Sequence, residues 1–249
     1  MRIAVAGGTG LLGRHVVQAL TAAGHTPVVL ARSRGVDLVT GSGLDDALTG
    51  AEAVIDVSNI ATTGRRRAVH FFETATTNLA DAGRRAGVQH LLVLSIVGVD
   101  RVDLGYYEGK RRQEEVALRG AVPATVLRAT QFHEFAGQLL ARVPGPVAVL
   151  PRQRIRPVAA AEVAAELARL APVGPQGHAT EIAGPEEHQL VDLARRVVRA
   201  EGRRRPVVGV RLPGRAGRAM ASGGLLPGDG ARISTLTFDD WLVGGVTGL

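Results

Sequence analysis

Residues 1–24, MRIAVAGGTGLLGRHVVQALTAAG, decide how the rest of the chain is arranged. The first six residues are a short apolar run that predicts a buried parallel strand. From Leu11 onward, apolar residues recur at helical spacing until Gly24, which can act as the helix C-cap. A strand, a glycine-rich turn and a helix in this order are the context that a dinucleotide-binding fingerprint requires.

The glycines of the turn fit that fingerprint one by one. Gly7 lets the chain reverse tightly, Gly10 lets backbone N–H groups approach a pyrophosphate, and Gly13 lets the helix pack closely on the strand. The pyrophosphate would lie on the helix N-terminus, where free N–H groups and the helix dipole favour an anion. We therefore predict that the turn binds a dinucleotide cofactor through Gly7, Thr9, Gly10, Leu11, Leu12 and Gly13.

The composition is that of a soluble globular protein. Of 249 residues, 45% are hydrophobic and 21% are charged, so the chain can bury a sizeable core. The sequence contains neither a bilayer-spanning apolar stretch nor a recognisable signal peptide, and we expect a cytoplasmic protein without a membrane partner. The absence of cysteine removes disulfides and thiolate metal sites, and the histidines lack metal-ligand spacing, so we expect no metal.

The net charge of +7 raises the question of a nucleic-acid partner. Aromatic residues make up only 3% of the chain, so platforms for stacking bases are nearly absent, and the arginines are scattered. We expect a small-molecule substrate and no nucleic-acid partner. Lys110 is the single lysine, and this bias toward arginine is typical of a GC-rich bacterial gene. The oligomeric state is open, and a homodimer through exposed helices is compatible with the sequence.

Strand and helix patterns alternate along the first half of the chain. After the opening strand, we predict strands at residues 26–31, 36–39, 53–57, 90–94 and 124–129, and helices at 68–85 and 105–120. This alternation predicts an α/β fold with a Rossmann-type doubly wound parallel sheet. We predict a dinucleotide-binding core at residues 1–133 and a small C-terminal α/β substrate-binding lobe, integrated with the core, at residues 134–249.

The second half of the chain has a looser pattern. It predicts helices at residues 160–170 and 190–200 and strands at 179–183 and 206–210. The glycine-rich stretch 214–230 predicts a mobile, lid-like segment. The chain then closes on a short predicted helix at 238–242, whose Trp241 packs into a core.

The residues after the second strand predict which cofactor is bound. In dinucleotide folds an acidic residue there selects the free ribose 2′-hydroxyl, whereas arginine accommodates a 2′-phosphate. Here Arg32 and Arg34 flank Ser33, so we predict NADP(H) rather than NAD(H), with a solvated basic loop as the alternative. Ligands of open α/β sheets collect beyond the carboxyl ends of the strands. Further cofactor contacts are predicted there at Ser58, Asn59, Thr130, Gln131 and Phe132, and His133 is either a substrate contact or a packed histidine.

Tyr106 and Lys110 stand four residues apart on a predicted helix, so their side chains share a face. A lysine ammonium can hydrogen-bond the cofactor ribose and lower the pKa of a neighbouring phenol, which then protonates a carbonyl oxygen as hydride reaches its carbon. Ser95 follows the predicted strand 90–94 and is placed to hydrogen-bond the same oxygen. We predict catalytic roles for Tyr106, Lys110 and Ser95, with Tyr107 as the alternative phenol and simple packing at a helix start as the non-functional explanation.

Together these residues resemble the short-chain dehydrogenase/reductase superfamily, and within it the atypical, NmrA-like NAD(P)H-binding branch. The resemblance rests on the glycine turn, Arg32, Ser95, the Tyr106–Lys110 spacing and residues 127–132, and it covers nearly the whole chain. It implies a Rossmann core, a small substrate lobe and reduction of a carbonyl, enone or quinone by NADPH. The Tyr, Lys and Ser roles of the family are implied for Tyr106, Lys110 and Ser95.

The chain departs from the family pattern at two places, and two other functions stay open. Val57-Ser58-Asn59 replaces the Asn-Asn-Ala-Gly stretch of typical members, and Ala129 stands where proline is common. Some NmrA-like proteins are nucleotide sensors without turnover, so a non-catalytic NADP(H)-binding redox sensor or regulator is the alternative. A sugar-nucleotide epimerase or dehydratase uses the same three residues with a retained cofactor, and the short C-terminal lobe counts against it.

Overall fold

The computed structural model of the protein describes residues 1–244. Its strands, in chain order, are β1 Arg2–Ala6, β2 Thr26–Leu30, β3 Ala53–Asp56, β4 His90–Ile96, β5 Ala124–Ala129, β6 Ala148–Pro151, β7 Arg154–Ile155, β8 Gly177–His178, β9 Ile182–Ala183, β10 His188–Gln189, β11 Val207–Val210 and β12 Arg232–Ile233. Its helices are α1 Leu11–Ala22, α2 Leu44–Leu48, α3 Arg65–Ala86, α4 Gly105–Arg119, α5 Phe135–Arg142, α6 Ala160–Leu170, α7 Leu190–Ala200, α8 Gly214–Ala221 and α9 Phe238–Val243.

The chain packs into two compact units. The first contains residues 1–96, 104–128 and 160–180, and the second contains residues 97–103, 129–159 and those from Glu181 onward. These packing units interleave along the chain. The predicted division into a core at 1–133 and a lobe at 134–249 is a functional one and stays a prediction.

A parallel sheet in the order β2-β1-β3-β4-β5 forms the centre of the first unit, and β8 pairs with β5. The residues of β1 and β3 are almost all buried, as expected for a parallel sheet with both faces covered. α1 packs with α6, while α3 packs with α2 and α4. This parallel sheet with its helical cover confirms the predicted Rossmann-type α/β fold.

The strand register brings several predicted site residues to one edge of this sheet. Ala6 is level with Leu30 of β2 and with Asp56 of β3, and Asp56 is level with Val93 of β4. The carboxyl ends of these four strands therefore emerge together. The glycine turn, the residues after β2, the residues after β3 and the end of β4 all follow at this edge.

Among the described residues, the second unit contains two two-stranded sheets, β7 with β10 and β6 with β11, and an apolar core. β9 pairs in parallel with the last residue of β5 and with β12, β7 pairs antiparallel with β10, and β6 pairs in parallel with β11. α5 packs against α7. The predicted terminal helix is confirmed as α9, where Phe238 is buried in the core cluster and Trp241 packs against it.

Three predicted segments differ from the structure, whereas the helices at 160–170 and 190–200 match at both ends. The strand predicted at 179–183 is reduced to β9, and residues 179–181 form no strand. Residues 36–39 form no strand, because the Asp37 carboxylate accepts the N–H groups of Val39 at 2.8 Å and Thr40 at 3.1 Å and holds a turn. The stretch 214–230, predicted to be mobile, contains α8, and its Met220 and Leu225 are buried.

Candidate functional site

The glycine turn connects β1 to α1, and backbone hydrogen bonds between residues three positions apart hold it. The N–H of Gly8 donates to the carbonyl of Val5 at 3.2 Å, and the N–H of Gly10 donates to the carbonyl of Gly7 at 2.9 Å. Gly7 has a φ of +78°. A Cβ on Gly7 would lie 2.8 Å from the Cα of Ser58. Both the backbone conformation and the lack of space therefore require glycine at position 7.

The start of α1 fits the pyrophosphate of a dinucleotide. A Cβ on Gly13 would overlap the carbonyl oxygen of Gly7 and lie 2.6 Å from the Cα of Gly8, so Gly13 allows the helix to begin against the turn. Gly10 is the exposed N-cap, and no side chain caps the helix there. The N–H groups of the first turn are thus left for another acceptor, and an anion suits them.

Three exposed arginines lie beside the turn or directly after β2. Arg32, Ser33 and Arg34 form a short 3-10 turn, and all three side chains are exposed. Arg14, which the sequence analysis did not single out, donates from Nη1 to the carbonyl of Thr9 at 3.0 Å. Positive charge therefore lies both on the glycine turn and at the end of β2.

The chain turns sharply after β3 and brings Ser58 and Asn59 to the site. The buried carboxylate of Asp56 accepts the N–H of Ser58 at 2.9 Å. Ser58 is buried, and its hydroxyl has no hydrogen-bond partner within the described part of the chain. Asn59 is exposed, and its Oδ1 accepts the O–H of Tyr106 at 2.8 Å. The same turn thus packs against Gly7 and holds the phenol.

The side chains of Tyr106 and Lys110 project from the same face of α4. The ring of Tyr106 packs edge-on against Phe72 of α3, with 5.6 Å between centroids, and Lys110 Nζ lies 4.6 Å from the centroid of the same ring. Lys110 Nζ donates to the carbonyl of Leu94 at 2.7 Å. Because Leu94 precedes Ser95, the lysine is anchored beside the predicted serine at the end of β4.

The ammonium of Lys110 is buried and makes its hydrogen bonds inward. The residue is 5% exposed, and Nζ also donates to Oε1 of Gln113. Burial lowers the pKa of Lys110 to about 8, although the carboxylates of Asp56 and Glu114 act in the opposite direction. Lys110 is therefore charged below about pH 8, and its predicted effect on a neighbouring phenol and its predicted contact with a cofactor ribose stay predictions.

Ser95 is the third predicted catalytic residue. Its side chain is buried, and no acceptor or donor among the described residues reaches its hydroxyl. A buried hydroxyl without a partner is uncommon in folded proteins and is typical of a group that binds something else. Tyr107, the alternative phenol, is also buried, with its ring centroid 6.0 Å from that of Tyr106.

The predicted contacts after β5 lie in the second unit. Thr130 donates from Oγ1 to the carbonyl of Arg156 at 2.6 Å, and Phe132 forms a parallel β-bridge with Val158. Both polar atoms of the Gln131 amide are buried without a hydrogen-bond partner in the described residues. The side-chain amide of Gln131 is therefore available for a ligand, as far as the described residues show.

His133 is packed into the core of the second unit. Its ring lies 5.5 Å from those of Phe238 and Trp241, centroid to centroid. Its Nε2 is 3.1 Å from the carbonyl of Leu236. This environment favours the packed histidine over the substrate contact.

Asp56 and Gln113 are the polar residues of this region that sequence reasoning missed. Both have 0% exposure, and Gln113 Nε2 donates to Asp56 Oδ2 at 2.8 Å. A polar residue at the end of an apolar strand, and a glutamine one helical turn after the single lysine, were the available signals. The pairing itself joins positions 57 residues apart, which no local pattern reveals.

Comparison with known proteins places the chain among NAD(P)-binding proteins. Residues 3–99 match the model of the NAD dependent epimerase/dehydratase family. The (4-alkanoyl-5-oxo-2,5-dihydrofuran-3-yl)methyl phosphate reductase of Streptomyces griseus is 31% identical over 229 residues, covering 81% of this chain and 74% of that protein. The ceramide reductase of Caulobacter vibrioides is 32% identical over 143 residues, covering 50% of this chain and 44% of that protein.

Among solved structures, the NADPH-dependent quinone oxidoreductase of Escherichia coli complexed with NADPH is similar in fold. Its TM-score is 0.70 at 21% identity, covering 97% of this chain and 99% of that one. The chain belongs to the short-chain dehydrogenase/reductase superfamily, as the sequence predicted, and its place in the NmrA-like branch stays a prediction. None of the helices in residues 1–244 combines the length and apolarity needed to cross a membrane.

Proposed function

We propose that the protein is an NADPH-dependent reductase of a small carbonyl, enone or quinone substrate. The observation that carries this proposal is that Tyr106 and Lys110 both pack against the ring of Phe72. Asn59 accepts a hydrogen bond from Tyr106, and the Leu94 carbonyl near the end of β4 accepts one from Lys110. The two reductase relatives and the fold shared with an NADPH-bound quinone oxidoreductase support it.

The residues of the first unit that would hold the cofactor lie at the glycine turn and after β2 and β3. The uncapped N-terminus of α1 would bind the pyrophosphate, and the guanidinium groups of Arg32 and Arg34 would bind a 2′-phosphate. Ser58 and Asn59 border the same turn. When bound, the nicotinamide supplies a hydride to the substrate carbon.

The side chains of the protein supply one proton to the substrate oxygen. Tyr106 donates its phenolic proton to the substrate oxygen as negative charge develops there, and Ser95 donates a hydrogen bond to the same oxygen. Lys110 is charged below about pH 8 and stabilises the phenolate that remains. Solvent then returns a proton to Tyr106, which is partly exposed. Asn59 fixes the phenol in place between turnovers.

The test is NADPH oxidation by the purified protein with a panel of quinones, enones and ketones. Tyr106→Phe removes the proton donor and keeps the ring against Phe72. We expect kcat/KM to fall by about 10²- to 10⁴-fold while NADPH still binds, because general acid catalysis contributes an acceleration of that size. Tyr107→Phe is the matched control, since it removes the neighbouring phenol, and should stay within a few-fold of the wild type.

Other outcomes point to other assignments. Full activity of Tyr106→Phe would refute the role of Tyr106, and a loss confined to Tyr107→Phe would transfer that role to Tyr107. Cofactor binding without turnover of any substrate would favour the redox sensor. Conversion of a sugar nucleotide with retained cofactor would favour an epimerase or dehydratase.

A further inference from the structure

A buried polar connection joins β3 to α4 next to the candidate site. Asp56 Oδ2 accepts the Nε2–H of Gln113 at 2.8 Å, and Gln113 Oε1 accepts from the ammonium of Lys110. Thr76 of α3 is 3.5 Å from the same Asp56 oxygen. Asp56, Thr76 and Gln113 have no exposed surface. A negative and a positive side chain are thus linked through one neutral amide inside the protein.

The chemistry of the two ends makes glutamine specific at position 113. An ammonium only donates hydrogen bonds and an ionised carboxylate only accepts them, so the residue between them must accept on one side and donate on the other. A primary amide does both at once. A leucine of similar size would leave Asp56 and Lys110 each without this partner, at the cost that unsatisfied buried groups carry.

The other oxygen of Asp56 reaches the opposite side of the site. Asp56 Oδ1 accepts the N–H of Ser58 and thereby sets the turn that precedes Asn59. Asn59 in turn accepts the O–H of Tyr106. One buried carboxylate is therefore connected to Lys110 through Gln113 and to Tyr106 through the backbone of the turn.

We propose that Gln113 is a positioning residue for Lys110 and that Asp56 anchors Gln113 and the Tyr106 side of the site together. The proposal rests on the proposed function, in which Lys110 must be charged and must face the phenol. Gln113 itself touches neither phenol nor substrate. It acts by holding the Lys110 ammonium in position and by favouring its protonated form.

The charged and polar groups around Lys110 explain why Gln113 matters. Asp56 faces it from β3, Glu114 from its own helix, the Phe72 ring from α3 and the Leu94 carbonyl from β4. Glu114 is paired with Arg128 of β5 at 2.7 Å, which leaves Asp56 as the carboxylate without an arginine partner in the residues described. Loss of the amide removes an acceptor from a buried cation, so the lysine should lose its proton at a lower pH.

The single lysine permits a direct measurement in the cofactor-free protein. Lysine labelled with ¹³C and ¹⁵N gives one side-chain signal, that of Lys110, whose midpoint in the wild type should lie near pH 8. In Gln113→Leu we expect a midpoint about one pH unit lower, as for loss of a hydrogen bond to the charged form. Gln153→Leu replaces another buried glutamine, in the second unit, and should leave the Lys110 midpoint unchanged.

A second measurement needs no variant. In the wild type the side-chain amide signal of Gln113 should shift with the same midpoint as Lys110, because its oxygen accepts from the ammonium. The proposal would be overturned if the chemical shift of the Gln113 amide did not change as Lys110 titrates. It would also be overturned if the Lys110 midpoint were unchanged in Gln113→Leu.

Kinetics separates this proposal from the proposed function. The alkaline limb of kcat/KM should move with the Lys110 midpoint, so that Gln113→Leu loses about fivefold at pH 8 and little at pH 6, for a midpoint lowered by about one pH unit. Equal loss at every pH would indicate a merely structural role and contradict the proposal. A shifted Lys110 midpoint in a protein that reduces no substrate would support the link through Gln113 and contradict the reductase.

Discussion

Arg32 stands at the position after β2 where an acidic side chain would select NAD(H). Its guanidinium group and that of Arg34 are both exposed, so two planar sets of donors are open to a phosphate. A ribose hydroxyl carries no charge and gains much less from a guanidinium than a phosphate does. A change at Arg32 should therefore affect the two nicotinamide cofactors differently.

Arg32→Glu should raise the Kd of NADPH by about 10- to 100-fold and leave that of NADH nearly unchanged, because a charge-assisted hydrogen bond contributes about 1.5–3 kcal/mol. Titration calorimetry with each cofactor measures both constants. Arg204→Glu makes the same charge change at an exposed arginine of the second unit and should alter neither. Equal losses for NADPH and NADH would mean that Arg32 belongs to a solvated loop.

At the level of elements, the close approach of α3 and α4 builds the face that carries Tyr106 and Lys110. A Cβ on Gly109 of α4 would lie 2.7 Å from the carbonyl carbon of Ala68 and 2.8 Å from its oxygen and its Cβ. The two helices therefore meet backbone to backbone at this point. This approach places the Phe72 ring of α3 against both candidate side chains of α4.

Gly109→Ala should lower the free energy of unfolding by about 1–2 kcal/mol, since overpacking that costs up to about 3 kcal/mol exceeds the gain of about 1 kcal/mol that alanine brings to a helix. Unfolding in urea measures the change. Gly83→Ala in α3 is the control and should be close to neutral, because the atoms nearest to its new Cβ would be those of two valine side chains, at 3.3 Å and beyond. Equal stability of the two variants would show that the helices can separate freely at Gly109.

At the scale of the whole molecule, we expect the buried His90 to make the free energy of unfolding depend on pH. Its ring is buried in the first unit, with Nδ1 3.1 Å from the carbonyl of Ala171 and Nε2 2.8 Å from Oγ1 of Thr125. Burial lowers the pKa of His90 below its usual 6.5, and the weaker effect of the Ala171 carbonyl opposes it. Between the lowered pKa and 6.5 the unfolded chain binds the proton and the folded protein does not, so stability decreases as pH falls.

We expect the wild type to lose stability as pH falls below about 6.5, and His90→Gln to reduce that slope whatever its absolute stability. Urea unfolding at several pH values gives the slope for each protein. His178→Gln removes an exposed histidine and should keep the wild-type slope. An unchanged slope in His90→Gln would assign the acid sensitivity to other groups.

Local causes explain which parts of the fold were predictable. The glycine turn depends on a positive φ and on missing Cβ atoms at given positions, and the helices at 160–170 and 190–200 depend on apolar periodicity. The strand predicted at 36–39 was wrong because the Asp37 side chain bonds to its own backbone, which competes with pairing in a sheet. The apolar pattern of a sequence does not show whether a side chain will take the backbone hydrogen bonds that a sheet needs.

The sequence by itself determined the turn that suits a dinucleotide, the Rossmann-type alternation and the shared face of Tyr106 and Lys110. Each of these follows from the spacing of residues that are close together in the chain. Only the tertiary structure decided that Lys110 is buried, and that Asp56 reaches it through Gln113 across 57 positions. The physical reason is that burial and pairing of charges depend on which strands and helices meet. Spacing within one element cannot specify that.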